Sequence, residues 1–258
     1  MPNDGLDRVK PPSPDKAQGA PLDPQLLLGA YSVGVFPMAD SRDADSVYWV
    51  EPNERAILPL DGFHLSHSLR KTLVVDRFRV TADTAFERVI ALCAESAGDR
   101  PDTWINPQIE RASIALHRLG FAHSVEVWNG DALVGGLYGI ALGRAFFGES
   151  MVSRARDASK IALAWLVARL RAGGFTLLDC QFMTGHLASL GAIEVPRARY
   201  LALLSIAVEG VVGAGASAAG AAAAGDFFAV DRGAESPAET DCGPPTGKVI
   251  AQLLVQTS

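Results

Sequence analysis

Hydrophobic and polar positions recur with different periods along the chain, and those periods mark out its elements. The densest signal lies between residues 133 and 181. Two apolar runs, 133–142 and 144–148, are rich in strand-favouring residues and are separated by a glycine-bearing turn. From 157 to 171 the residues Ile161, Leu163, Ala164, Leu166, Val167 and Leu170 recur on the apolar side of a helix. Gly173 and Gly174 stop it, and 175–181 reads as a buried strand. The unit is strand–strand–helix–strand, and it brings strand ends together where a pocket can form.

The upstream pattern is a series of short elements. Residues 24–34 form a helix with Asp23 as N-cap, Pro24 at the first helical position and Gly34 at the end. Phe36-Pro37-Met38 leaves it extended, and two strands fall within 47–58, where Tyr48 and Trp49 face opposite ways. A basic helix at 65–73 starts near His64 or Ser66, and a strand at 78–81 follows. Asp83 then caps a helix to about 95, with Phe86, Val89, Ile90 and Cys93 inward. Asn106 and Pro107 open a helix to about 119, in which His117 is surface or core filler. The strand 123–128 turns back at Asn129-Gly130, a strong hairpin signal. Beyond 181 come a helical turn at 186–191, a helix at 198–208, and a flexible Ala/Gly/Ser linker at 210–225. A short apolar segment at 248–255 suggests a docking strand, and the polar, proline-bearing residues 1–21 suggest a disordered arm.

Composition narrows the class. A chain of 258 residues with 48% hydrophobic content can bury one large core or two small ones. No apolar leader opens it and no apolar run is long enough to cross a bilayer, which argues against a membrane role. Cys93, Cys180 and Cys242 lack metal-type spacing, as expected of a reduced cytoplasmic protein without zinc. The net charge of −6 argues against general nucleic-acid binding. Yet His64, His67, Arg70, Lys71, Arg77 and Arg79 cluster in one segment, either as a solvated face or as a local phosphate-binding one.

Candidate chemistry sits where polar residues interrupt the apolar unit, at Glu149, Asp179 and Gln181. Asp179 and Gln181 share one face of a strand and Cys180 takes the other. An acid in an apolar strand is costly unless it is partnered or used; the alternative is a strand end that reaches solvent. Glu149 has its own bland alternative, an ion pair with Arg154 or Arg156. Trp49 and Trp104 are either core or flat surfaces for stacking a nucleobase. His123, Ser124 and Glu126 hint at a triad, but no GxSxG elbow accompanies them, so a serine nucleophile is rejected.

The words of the sequence add a resemblance. LVGGLYGIALGRAFFGESMVSRARDASKIALAWL, then LDCQ, HLASLGA and VPRARYLALL, together with YSVGVFPM, VYWVEPNERAILP and TWINPQI upstream, resemble the leucyl/phenylalanyl-tRNA–protein transferase family over about residues 25–204. That resemblance implies an α+β fold with a GNAT-like acyltransferase domain over 63–208. A small N-terminal α/β domain over 22–62 would precede it, and a linker and tail over 209–258 would follow. It implies transfer of leucine or phenylalanine, with methionine as a further candidate, from aminoacyl-tRNA to the N-terminal Arg or Lys of an acceptor protein. The new peptide bond would mark that protein for degradation. No cofactor is implied, and a monomer is the default.

The resemblance also implies roles. Trp49 and Trp104 would flank the terminal adenosine, and Leu137, Phe146, Gly148, Met151, Leu163, Leu166 and Leu178 would line the amino-acid pocket. Leu137 stands where the family carries methionine and Leu166 where it carries phenylalanine. Asp179 would hold the Gln181 amide, whose carbonyl would aim the incoming amine, and Glu149 would face the acceptor's cationic side chain. The chemistry is undemanding: the amino acid arrives as an activated ester, and an α-amine with a pKa of about 7.7–8.0 is partly neutral already. Orientation is the larger part of the work. Two alternatives compete. An acyl-CoA-dependent GNAT enzyme would want a glycine-rich phosphate turn, and the turn at 154–159 has no glycine and carries Asp157. A non-catalytic RNA-binding protein would use only the tryptophans and the basic segment.

Overall fold

Helix starts are written in the chain's capping residues, and the computed structural model follows most of them; it describes residues 8–9, 21–95, 103–209, 224–232 and 245–255. Nearly all of the expected arm and linker lie outside these residues. The exception in the arm is a two-residue strand, β1 (Arg8–Val9). Helix α1 (Pro24–Ser32) is capped by Asp23, whose carboxylate accepts the Gln25 N–H at 2.9 Å. Strands β2 (Phe36–Met38), β3 (Tyr48–Val50) and β4 (Glu54–Ile57) follow, then a 3₁₀ turn at Leu60–Gly62 and helix α2 (His67–Val74), capped by Ser66.

Next come β5 (Arg79–Ala82), α3 (Phe86–Ala94) and α4 (Pro107–Arg118), the last capped by Asn106. The core unit is β6 (Ala122–Asn129), β7 (Ala132–Leu142), β8 (Ala145–Ser153), α5 (Ala158–Ala172) and β9 (Leu177–Gln181). Helix α6 (Gly185–Ala188), β10 (Ile193–Pro196) and α7 (Arg197–Val208) complete the body; α8 (Ala229–Arg232) and α9 (Gly247–Val255) close the described chain.

The fold is mixed α+β. Seven strands form one mixed sheet in the order β10-β4-β9-β8-β7-β6-β5, and β1-β3-β2 form a small second sheet. β6, β7 and β8 run as an antiparallel meander, and α5 carries the chain over to β9, which lies parallel to β8. The chain passes from the small sheet to the large one between β3 and β4, at residues 51–53. Strand alternation sorts two apolar layers. Leu137, Phe146 and Leu178 pack in the layer built with α2, α5, α8 and α9, whereas Tyr138, Phe147 and Leu177 pack with α1, α3, α4 and α7.

The structure corrects four expectations. Residues 248–255 form a helix, not a strand: Ile250, Ala251 and Leu254 fall on one helical face and are buried there. The Gly247 N–H donates to Asp76 at 2.7 Å, and Arg171 holds the Leu253 carbonyl at 2.9 Å. Asp83 does not cap α3; it takes φ +56° and its carboxylate accepts the Ser124 N–H at 2.7 Å while pairing with His123. Strand β8 runs on past Gly148 to Ser153, because β7 pairs with it throughout. Helix α5 is buried nearly all round, Ala162, Trp165 and Ala168 included, since the sheet covers one side and α2, α8 and α9 the other. Each large apolar side chain so enclosed contributes about 1.5–3 kcal/mol.

Candidate active site

Parallel pairing between β8 and β9 stops at Phe147↔Asp179. Past that point β8 stays with β7, while β9 turns to β4, so the large sheet parts between them. Both strands are irregular there. Glu149 is the extra residue between the pairs Gly139↔Gly148 and Tyr138↔Ser150, and Cys180 falls between Ile57↔Asp179 and Ala56↔Gln181. Bulges of this kind re-aim side chains. Gly139 is required beside the first, since a Cβ there would stand 2.3 Å from the Phe147 carbonyl oxygen. Gln181 takes φ +55°, a left-handed conformation worth roughly 1–2 kcal/mol of strain in a non-glycine residue.

What holds Gln181 in that conformation is Asp179. Its Oδ1 accepts the Gln181 backbone N–H at 2.8 Å. The same carboxylate receives Arg55 in a bidentate pair, Nε to Oδ1 at 2.9 Å and Nη2 to Oδ2 at 2.6 Å, and the Tyr200 hydroxyl at 2.8 Å. Arg55 also donates to the Gly34 carbonyl at 3.2 Å and lies over the rings of Phe36 and Tyr200. Burial works against the Arg55 charge, yet Asp179 more than restores it and holds the guanidinium above its ordinary value. Burial, reinforced by Asp179, pushes the Tyr200 phenol up, so it stays a donor. The Asp179 side chain is fully shut off from solvent, which removes the solvent-exposed alternative. It bonds the backbone of Gln181, not the side-chain amide that the sequence reading assigned to it.

The Gln181 side-chain amide instead faces Glu149, Nε2 to Oε1 at 3.4 Å, and the Tyr31 hydroxyl donates to the same oxygen at 2.8 Å. Burial raises the Glu149 pKa to about 8; the Tyr31 hydrogen bond opposes that rise and the nearby Asp179 charge adds to it. Below that pH the carboxyl is neutral. A cation brought next to it would favour the ionised form. The alternative reading of Glu149, an ion pair with Arg154 or Arg156, is not what forms: Arg154 pairs with Glu95 and Arg156 with Asp157.

Beside Glu149 lies a cavity of ≈ 210 Å³, the scale of one side chain rather than of a drug-sized ligand. Leu137, Gly148, Met151, Leu163, Leu166 and Leu178 all line it, as the sequence reading expected, together with Tyr138, Glu149, Ser150, Cys180 and Leu187. Burial pushes the Cys180 thiol up, so it presents a neutral, apolar surface. Phe146 is the exception. It precedes the parting of the strands, and its ring is stacked on Phe227 and edge-on to Phe175 in the closed core.

Trp49 and Trp104 are half-buried and lie by the small sheet. Trp49 pairs with Pro37 across β2 and β3, and the Trp104 carbonyl accepts the N–H of Ala39, just past β2. This sheet meets the site through Phe36, edge-on to Phe182 at 5.6 Å between centroids, directly after Gln181. His64, His67, Arg70, Lys71, Arg77 and Arg79 are all exposed. Three site residues escaped the sequence reading: Tyr31, Arg55 and Tyr200. Arg55 left a signal, since an arginine beside the apolar run Ala56-Ile57-Leu58 calls for a buried acid. The tyrosines left none, as each occupies an ordinary apolar helix position. Among the described residues no helix is long and apolar enough to cross a membrane.

Comparison with known proteins adds to this geometry. Residues 57–205 match the family described as leucyl/phenylalanyl-tRNA protein transferase, and residues 20–53 match the N-terminal domain of the same family. The leucyl/phenylalanyl-tRNA–protein transferase of Rhizorhabdus wittichii is 64% identical over 245 residues, covering 92% of this chain and 99% of the relative. That of Zymomonas mobilis is 64% identical over 187 residues, covering 72% of this chain and 70% of the relative. Among solved structures, L-PGS from Bacillus licheniformis overlays with a TM-score of 0.34 at 12% identity, over 62% of this chain and 53% of that one, too distant to carry an argument.

Proposed function

The chain belongs to the leucyl/phenylalanyl-tRNA–protein transferase family, and from that membership we propose how its own residues perform the transfer. It is an aminoacyltransferase that moves leucine or phenylalanine from aminoacyl-tRNA to the N-terminus of a protein. In our reading the donated side chain enters the cavity walled by Leu137, Met151, Leu163, Leu166 and Leu178, with Gly148 leaving room at its edge. The terminal adenosine lies against Trp49 and Trp104. Phe146 supports the pocket from behind rather than lining it. Methionine is a further candidate donor, since Leu137, Met151, Leu163, Leu166 and Leu178 give the cavity an apolar wall.

The acceptor's α-amine attacks the ester carbonyl, the new C–N bond forms, the bond to the ribose oxygen breaks, and the proton lost by the amine ends on that oxygen. Gln181 aims that amine, and Asp179 acts one step back by locking the Gln181 backbone. Its lone pairs are already taken by Arg55, Tyr200 and the Gln181 N–H, so it is an anchor and not a proton acceptor. Glu149 receives the acceptor's N-terminal Arg or Lys side chain and ionises as that cation arrives. Positioning of this type can lower the barrier by several kcal/mol without a strong base.

We read the catalytic body, about 63–208, as GNAT-like, the parting of β8 from β9 being the feature that supports it, with 22–62 as a smaller N-terminal unit. The exposed basic residues of α2 and β5 suit the tRNA backbone. A cytoplasmic monomer is the working assumption. One observation carries the proposal: six of seven expected pocket residues line a single cavity whose rim holds Glu149. The deciding experiment is transfer of labelled leucine from Leu-tRNA to a peptide beginning with Arg or Lys. Transfer that vanishes with Gln181→Ala, in a protein that still binds tRNA, is expected. Tight tRNA binding with no transfer by the wild type would leave only the RNA-binding alternative.

A further inference from the structure

A strand inside a sheet ordinarily has both edges paired, since unpaired backbone N–H and C=O groups are costly to bury. β8 breaks that rule over half its length. β7 pairs with it as far as Ser153, but β9 leaves it after Phe147, and no other described strand takes the place of β9. Among the described residues the β9-facing edge over 148–153 therefore has no strand partner. The first five of these residues are half-buried and Ser153 is exposed, so the edge runs outward from the sheet interior. Its inner end is the functional site: Gly148, Glu149, Ser150 and Met151 all border the cavity, with Gln181 across the gap.

We infer that the first residues of the acceptor protein bind as an added strand along the open edge of β8 at residues 148–153. The inference rests on the reading given under Proposed function and supplies the manner in which its acceptor is held. An open strand edge is a template for extended polypeptide, whose N–H and C=O groups repeat at the matching spacing of about 3.3 Å per residue. A ribose-phosphate backbone has no such repeat, which assigns the edge to the protein substrate and leaves the tRNA to the tryptophan side. The direction of entry follows from the geometry. The amine must reach the cavity, so residue 1 lies at the inner end by Glu149 and Gln181, and later residues run outward toward Ser153.

This arrangement separates two kinds of recognition. Main-chain pairing is indifferent to sequence, whereas the first side chain meets the one carboxyl placed at the inner end. The bulge matters here, because it takes the Glu149 side chain out of strand alternation without ending the pairing of β8 with β7. Proteins that share only their first residue can then use the same edge.

The test places the change on the peptide, so folding of the enzyme does not enter. A set of peptides beginning with Arg carries a single backbone N-methyl group at residue 2, 3, 4 or 5, and kcat and KM are measured with Leu-tRNA in excess. In a strand pair every second N–H faces a given neighbour. Methylation at alternate residues should thus raise KM at least tenfold, the intervening residues should change it less than twofold, and side-chain swaps at those residues should change it little. A flat profile across the set would overturn the inference, as would a loss that decays smoothly from residue 2. Failure of the unmethylated peptide to accept leucine would instead count against the functional reading itself.

Discussion

Two acids are shut inside the same sheet, and they do opposite things. Glu126 on β6 is paired on both sides by β5 and β7, and its carboxylate accepts the hydroxyls of Ser124 and Thr81 at 2.5 Å each and of Thr84 at 3.0 Å. Thr81 in turn receives the Trp128 indole N–H at 2.8 Å. The donors to Glu126 come from β6, β5 and the turn after β5, so the cluster is local and closed. Asp179 on β9 is bound by a cation, a phenol and a backbone N–H from three separate parts of the chain, at the point where the sheet opens. Burial of an acid therefore says little by itself about chemistry. What distinguishes the second region is free volume and an unpaired strand edge next to the satisfied acid.

Four measurements would break or sharpen that contrast. The largest effect is expected from Arg55→Ala, which leaves the Asp179 carboxylate buried without its cation: a loss of about 3–5 kcal/mol in denaturant unfolding, with transfer abolished. Asp179→Ala should behave likewise, since it strands Arg55 instead. The counterpart Glu126→Gln should lower stability by about 1–2 kcal/mol and leave the transfer rate of the folded protein unchanged. If Glu126→Gln stopped transfer without unfolding the protein, the contrast would fail. Gln181→Ala comes second: kcat should fall at least tenfold, while thermal stability moves by no more than about 1 kcal/mol and KM for aminoacyl-tRNA stays within twofold.

The third concerns pH. The folded-state pKa of Glu149, about 8, lies above the ordinary glutamate value of 4.5, so the folded protein favours the protonated form. Its contribution to stability is complete below pH 4.5 and is lost as pH rises through 8. Glu149→Gln should abolish that loss, on the order of 2 kcal/mol after allowance for the open cavity, when melting is followed from pH 6 to 9. A wild-type curve that stayed parallel to the variant would remove the argument for a neutral carboxyl. The smallest effect is one of selectivity. Leu166→Phe reduces the cavity and should shift the Leu-to-Phe donor ratio toward leucine by roughly tenfold, within the 1–3 kcal/mol that such a change can supply.

Much of the site was readable in advance because it lies on one continuous segment. β7, β8, α5 and β9 follow one another; helical periodicity turns Leu163 and Leu166 inward, and the family resemblance adds Leu137 and Leu178. Phe146 misled because the family resemblance grouped it with Met151, and the bulge at Glu149 does bring the two to one face of β8. Only the end of the β8–β9 ladder and the arrival of Phe227 decide that one is core and the other cavity wall. The final helix misled for a related reason. Its apolar residues suit either period, and the surface offered by α2 and α5, not the segment itself, selects the helix.

Local physics is what the sequence by itself determined: caps, turns, alternation and a buried helix between two strands; the pocket residues were named by the family resemblance. The local features depend on neighbours a few positions apart, and such neighbours are always present in the chain. Tertiary structure alone decided that Arg55, Tyr31 and Tyr200 surround Asp179 and Glu149, that Asp179 grips the Gln181 backbone rather than its side-chain amide, and that the β9-facing edge of β8 lacks a described strand partner past Phe147. Each of these joins residues from different elements, and an ion pair or an absent strand partner has no period to read.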